Sequence, residues 1–301
     1  MREAGGVLWM RWMALGLACC SGLVAIAQTP TMPEWQTKAG GHAEFDVVSV
    51  RLDKGEFKPP SFALSADDWF RDPHGRFHAD FPVSVYLEFA YKIWPTGEEE
   101  NAMLAGLPEW VRDDAYDVEA TAPVDATKDQ YRLMMQSMLA DRFGLKLHVE
   151  NREMPVLLMT LEKPGKTGPN LTPHDQAHPC DAVVANAITD CYGFMAHPAP
   201  GGLVEFGSRG APMELIGKFL GSTGGMTGEI SRPVLDRTGL SGLWDFKLQV
   251  ASPFGKKPEG EANPGPTIME GMQEQLGLRL KPDKAVIPVL VVDHLERPSE
   301  N

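Results

Sequence analysis

Long apolar runs are scarce in this chain: beyond the first 27 residues none reaches the length of a membrane span. Cysteine is scarcer still, 4 in 301 residues, and Cys19 and Cys20 both lie in that first segment. No Cys-x-x-Cys pair exists, which removes zinc ribbons and dithiol redox motifs. Basic residues are outnumbered, 28 against 41 acidic, for a formal net charge of −13. A surface of that sign repels phosphate backbones and anionic membranes, so nucleic acid is excluded as a partner. The short signatures of hydrolysis are missing as well. There is no Gly-x-Ser-x-Gly elbow, no Ser-x-x-Lys and no His-Glu-x-x-His. Lys166-Thr167-Gly168 matches one β-lactamase element without its partners. Gly221-Ser222-Thr223-Gly224-Gly225 lacks the Lys-Ser/Thr of a phosphate loop and reads as a helix exit.

What is present at the N-terminus is a targeting pattern. Arg2 and Arg11 precede an apolar stretch from Trp12 to Ile26, and Ala25-Ile26-Ala27 supplies the small residues a signal peptidase reads. The expectation is a signal peptide over 1–27, cleavage after Ala27 and an exported chain, periplasmic or extracellular, with no membrane insertion after processing. An uncleaved anchor is the alternative. The mature chain then has 26 basic and 40 acidic residues, and two cysteines, Cys180 and Cys191. In an oxidising compartment the pair reads as one disulfide closing a small loop. His174, His178 and His197 flank it and would suit a compact zinc site, but export favours oxidation of the thiols. No metal and no cofactor are expected.

The chain also repeats itself. Phe143-Gly-Leu-Lys-Leu147 and Met154-Pro-Val-Leu157 return as Leu276-Gly-Leu-Arg-Leu280 and Ile287-Pro-Val-Leu290, at a constant offset of 133. Six of the 17 positions over 143–159 are identical in the second copy. Each copy also carries an aromatic-Asp pair, Tyr116-Asp117 and Trp244-Asp245, within an alternating run. A repeated supersecondary unit predicts two similar lobes. The expected layout is a flexible leader over 28–43, a first lobe over 44–163, a linker with the disulfide loop over 164–202, and a second lobe over 203–301.

Within each lobe the periods alternate. Residues 45–52, 76–80, 116–121, 203–206 and 243–250 alternate like strands, and 53–74 reads as a long surface loop. Apolar spacing over 129–143 predicts a helix stopped by Gly144. Pro82 and Pro212 each stand where a helix can begin. Residues 145–149 and 156–161 read as two strands joined by a charged turn at 150–153, and 278–280 and 286–294 as their counterparts. The order is roughly β-α-β-α-β-β per lobe. That predicts an α+β fold of two lobes, each a small, mostly antiparallel sheet with helices on one face.

No catalytic residue is nominated. His148 and His294 sit in strand patterns, and the aromatic of each aromatic-Asp pair should pack inward while its acid faces water or caps a turn. The exposed segments 94–110, with Trp94 and Trp110, and 221–228 are the candidate lining of a groove between lobes.

The words Arg232-Pro-Val-Leu-Asp-Arg-Thr-Gly-Leu-Ser-Gly-Leu-Trp-Asp-Phe246, Gln275-Leu-Gly-Leu-Arg-Leu280 and Val291-Val-Asp-His-Leu-Glu-Arg-Pro298, with Phe45-Asp-Val-Val-Ser-Val50 and Leu139-Ala-Asp-Arg-Phe-Gly144 upstream, carry a resemblance. Over nearly all of 44–301 the chain resembles a large uncharacterised family of exported acidobacterial proteins, of the Solibacter type. That resemblance implies a domain of unknown function, also found fused to antibiotic-sensor-type membrane metallopeptidases. It implies no catalytic or ligand residue. The expected function is a non-catalytic binding or sensor-accessory domain whose partner is a peptide, cell-wall fragment or envelope protein. The alternative is a secreted hydrolase acting through carboxylates or histidines.

Overall fold

The computed structural model describes residues 33–175, 191, 193–252 and 265–298. Its elements, in chain order, are α1 (Glu34–Lys38), β1 (Val47–Leu52), β2 (Arg76–Pro82), α2 (Val83–Ala90), α3 (Gly97–Met103), α4 (Trp110–Asp113), β3 (Ala115–Thr121), α5 (Lys128–Phe143) and β4 (Lys146–Leu161). They continue with β5 (Leu171–Pro173), β6 (Met195–Ala199), β7 (Leu203–Pro212), α6 (Met213–Met226), β8 (Val234–Asp236), β9 (Leu243–Ala251), α7 (Ile268–Gly271) and β10 (Leu278–His294). Among the described residues the strands form three small sheets, ordered β1-β3-β2, β5-β9-β7-β6 and β10-β4-β8, and of the strand pairs only β4–β8 is parallel. The fold is a mixed, α+β arrangement.

Two main cores form. The first gathers Val50, Phe62, Phe77, Tyr86, Tyr116, Tyr131, Leu139 and Phe143 around α2, α5 and the β1-β3-β2 sheet. The second gathers Leu171, Phe206, Ile216, Leu220, Phe246, Leu248 and Leu276 around α6 and the β5-β9-β7-β6 sheet. Their wiring is alike. Pro82 pairs with Ala115 and caps α2, and Pro212 pairs with Leu243 and caps α6. Next in register stand Phe81 opposite Tyr116 and Ala211 opposite Trp244. On the other side of these central strands, Leu52 faces Tyr116 and Pro173 faces Trp244. Gly144 and Gly277 both end helical segments in the left-handed region, φ 61° and 68°. At Gly277 an added Cβ would also meet the Gly168 nitrogen at 2.5 Å, so no side chain fits.

The strands after these glycines depart from expectation. Residues 150–153 form no turn: β4 runs unbroken for 16 residues, and β10 for 17. They pair antiparallel along almost their whole lengths, with Glu153 directly opposite Val286. Those two residues are 133 apart, so the repeat relates each strand to its own partner. The prolines explain how such strands survive. Leu157 donates its N–H to Pro233 at 2.8 Å, away from β10. Alternation from there places the nitrogens of Pro155, Pro282 and Pro288 on outer edges, where the missing N–H costs no ladder bond. The charged run at 150–153 reads as a turn in sequence because half-exposed strands are polar too.

Other segments are more ordered than their composition suggests. Residues 97–103 form α3, opened by a capping box between Thr96 and Glu99. The expected surface loop 53–74 buries Phe62, Ala66 and Asp67 and sends Phe62 within 5.2 Å of the Tyr131 ring. The leader contains α1, whose Gln36 is buried. The glycine run at 221–225 lies inside α6, where an added Cβ on Gly221 would meet Val234 at 2.9 Å. Small residues there let α6 lie close on β8. Among the described residues no helix is long and apolar enough to cross a membrane.

Candidate functional site

The two tryptophans singled out in sequence stand in different cores. Trp94 is half-buried, its ring 5.0 Å from Phe194 and 5.6 Å from Phe219, where it joins the segment after α2 to the second core. Trp110 packs 6.0 Å from Tyr116 and 6.4 Å from Phe143, under the Arg297 guanidinium at 5.0 Å. Both serve as packing aromatics, and the structure does not bring them together. The backbone of Cys191 pairs with that of Arg209 in an isolated parallel bridge, while Cys180 and His178, and with them the expected Cys180–Cys191 disulfide, lie outside the described residues.

The histidines form separate pairs. His148 meets Asp293 at 2.9 Å and His294 meets Glu296 at 3.7 Å, all four side chains about half exposed. His78 lies 3.2 Å from Asp117, and His174 lies 2.7 Å from Asp245. The acids of the two aromatic-Asp pairs therefore each hold a histidine, while Tyr116 and Trp244 point inward as expected. Asp245 also accepts the Gly210 N–H at 2.8 Å, which fixes it as a cross-strand tie. No group of three metal-ligating side chains assembles among the described residues.

The densest charge cluster lies at the start of α5, and the sequence reading missed it. Lys128 is 4% exposed, and its Nζ donates to Ser65 Oγ, the Asp67 carbonyl, Asp67 Oδ1 and the Trp69 carbonyl, all within 2.8–2.9 Å. Arg132, fully buried one turn on, donates to the Asp129 carboxylate and to the Ser65 and Asp67 carbonyls. Asp67 also accepts the Phe194 N–H at 3.0 Å, which anchors the segment leading into β6. Burial pulls Lys128 down to about 8, against the opposing pull of the Asp67 carboxylate. A cavity of about 550 Å³ opens beside this cluster, with Asp68, Phe70, Asp72, Asp125 and Asp129 among its walls.

A serine 2.9 Å from a desolvated lysine invites a nucleophile reading. The hydrogen bonds run the other way. Ser65 Oγ gives its own proton to Asp67 Oδ1 at 2.8 Å, and Asp67 holds Lys128 as an ammonium whose three protons serve four oxygens. The cluster is built to fasten the 61–72 segment onto α5. Two spaced lysine and arginine positions on a helix gave no sequence signal, because all their hydrogen-bond partners but Asp129 sit 59–67 residues away.

A different surface follows from the β4–β10 ribbon. Alternation puts Leu147, Val149, Asn151, Glu153, Pro155, Leu157 and Met159 on one face, with Val292 to Leu280 opposite them. At one end of this face Leu147, Leu290 and Val292 enter the first core. At the other end Leu157, Met159, Leu161, Leu278 and Leu280 enter the second. The middle is open: Val149 is 46% and Val286 66% exposed, and Pro155, Pro282 and Pro288 are exposed beside them. The opposite face is packed instead, with Val156, Ile287 and Val289 buried against Ala102 of α3. Two cores rising from the ends of one face leave a saddle with an apolar floor.

A family description, "Protein of unknown function (DUF3738)", matches residues 84–295. The chain belongs to the DUF3738 family. No curated protein and no solved structure matches it. The DUF3738 segment contains the whole ribbon, α5 and most of both cores. Ser65 and Asp67 lie ahead of it.

Proposed function

We propose that this DUF3738 protein is an exported, non-catalytic binding domain made of two copies of one α+β unit. The duplication reading draws on the shared wiring at Pro82 and Pro212, the shared glycine stops, and a ribbon whose strands are repeats of one another. Each copy sends the far end of its long strand into the other copy's core, so the halves are interlocked. The resemblance of its motifs to exported acidobacterial proteins, and the sensor-type metallopeptidase fusions that this resemblance implies, support a role in the cell envelope.

The observation that carries the binding reading is the saddle. A chain that leaves two valines and three prolines exposed at the junction of its cores is presenting them to something. The partner is a peptide, cell-wall fragment or envelope protein. A secreted hydrolase is the second reading, favoured only by the Ser65–Lys128 contact, and the hydrogen-bond directions weigh against it. Incubating the mature protein with a broad ester, amide and glycoside panel, beside fluorophosphonate labelling, tests the choice. No turnover and no label on Ser65 are expected; turnover abolished by Ser65→Ala would defeat the binding reading.

A further inference from the structure

Resting on that binding reading, we propose that the middle of the β4–β10 ribbon docks an extended, apolar and basic segment of a partner protein. The floor between Val149 and Pro155 is seven residues long, about 20 Å at the rise of a strand, and so matches an extended stretch of about six residues. Val149, Val286, Pro155, Pro282 and Pro288 give it an apolar surface, and their backbone is already held by the ladder. Little order remains to be lost on binding.

The same prolines decide how the segment lies. Strand addition needs a row of outward N–H groups, and Pro155 breaks that row on one edge while Pro282 and Pro288 break it on the other. The occupant therefore lies on the face instead of extending the sheet. Charge decides its composition. The floor itself carries one acid and one base, Glu153 and Lys284, so the long-range field is set by the chain's net charge of −13. That field repels a second copy of the chain and draws in a cationic segment. The floor is an open face, with Val149 46% and Val286 66% exposed, which suits a polypeptide better than a small molecule.

Panning a display library of random twelve-residue peptides against the mature full-length chain tests the proposal. Enriched peptides should combine Lys or Arg with Leu, Val or Phe. Their affinity, read by fluorescence anisotropy, should fall at least tenfold in Val286→Glu and in Val149→Glu, with unchanged circular dichroism. Met226→Glu, on a residue 61% exposed on α6, should bind as the parent does. Added salt should weaken binding. Enriched peptides indifferent to both ribbon substitutions would overturn the docking site while leaving the binding reading intact. Failure to enrich any apolar and basic sequence would overturn the occupant. So would a dimer of the chain that dissociates on Val286→Glu. Cleavage of the enriched peptides would instead overturn the non-catalytic reading itself.

Discussion

Replacing Asp67 with Ala should be among the most damaging single changes to a charged residue in this protein. Its side chain is 3% exposed and holds Lys128, Ser65 and the Phe194 N–H together. Without it the Lys128 ammonium stays buried beside Arg132, with neutral oxygens as its only close partners. Breaking a buried pair from one side costs about 3–5 kcal/mol, because the orphaned charge keeps its desolvation penalty. In a domain of this size that corresponds to a fall of about 10 °C in Tm. Thermal melting followed by circular dichroism reads it directly. The double variant Asp67→Ala/Lys128→Met should recover part of the loss, since it removes the stranded charge along with its partner. Lys128 adds a pH signature. Its folded pKa is about 8 against an ordinary 10.5, so the unfolded chain binds the extra proton between these values. The contribution of Lys128 to stability therefore rises with pH from about 8 to 10.5 in the parent and is absent from Lys128→Met. An Asp67→Ala protein that melts with the parent would refute the view that this cluster fastens the 61–72 segment.

Three further outcomes are expected. Glu88, half-buried on α2 with no hydrogen bond or ion pair to its carboxylate among the described residues, is raised to about 8 by burial and by Glu100. Its contribution is whole below its ordinary 4.5 and is lost as pH climbs through 8, so Glu88→Gln should melt above the parent at pH 8 and with it at pH 4. Gly221→Val should cost about 1–3 kcal/mol by overpacking α6 against Val234, visible as a lower urea midpoint. Non-reducing peptide mapping of the protein should recover Cys180 linked to Cys191; two free thiols or bound zinc would reverse that assignment.

Much of the architecture was legible because local chemistry and global fold agree. The strand at 116–121, the helix over 129–143 and the glycine stop at 144 follow from alternation, helical spacing and a left-handed residue. The ribbon was not legible. Its polar centre, 150–153, looks like a turn because the face it exposes is a real surface, while its buried ends look like separate strands. The saddle follows from the pairing of two segments 133 residues apart, and sequence gives their likeness without their contact. Trp94 and Trp110 drew attention as loop aromatics but are spent on packing. The α5 cluster was hidden for the opposite reason: single buried charges carry no pattern until their distant partners are placed.

Hydrogen exchange on the full-length chain, with and without a selected apolar and basic peptide, tests the central claim most directly. Bound peptide should slow exchange over residues 149–155 and 282–288 and leave 68–72 and 125–129 unchanged. Protection confined to the acid-walled cavity beside α5, with the ribbon unaffected, would contradict the account.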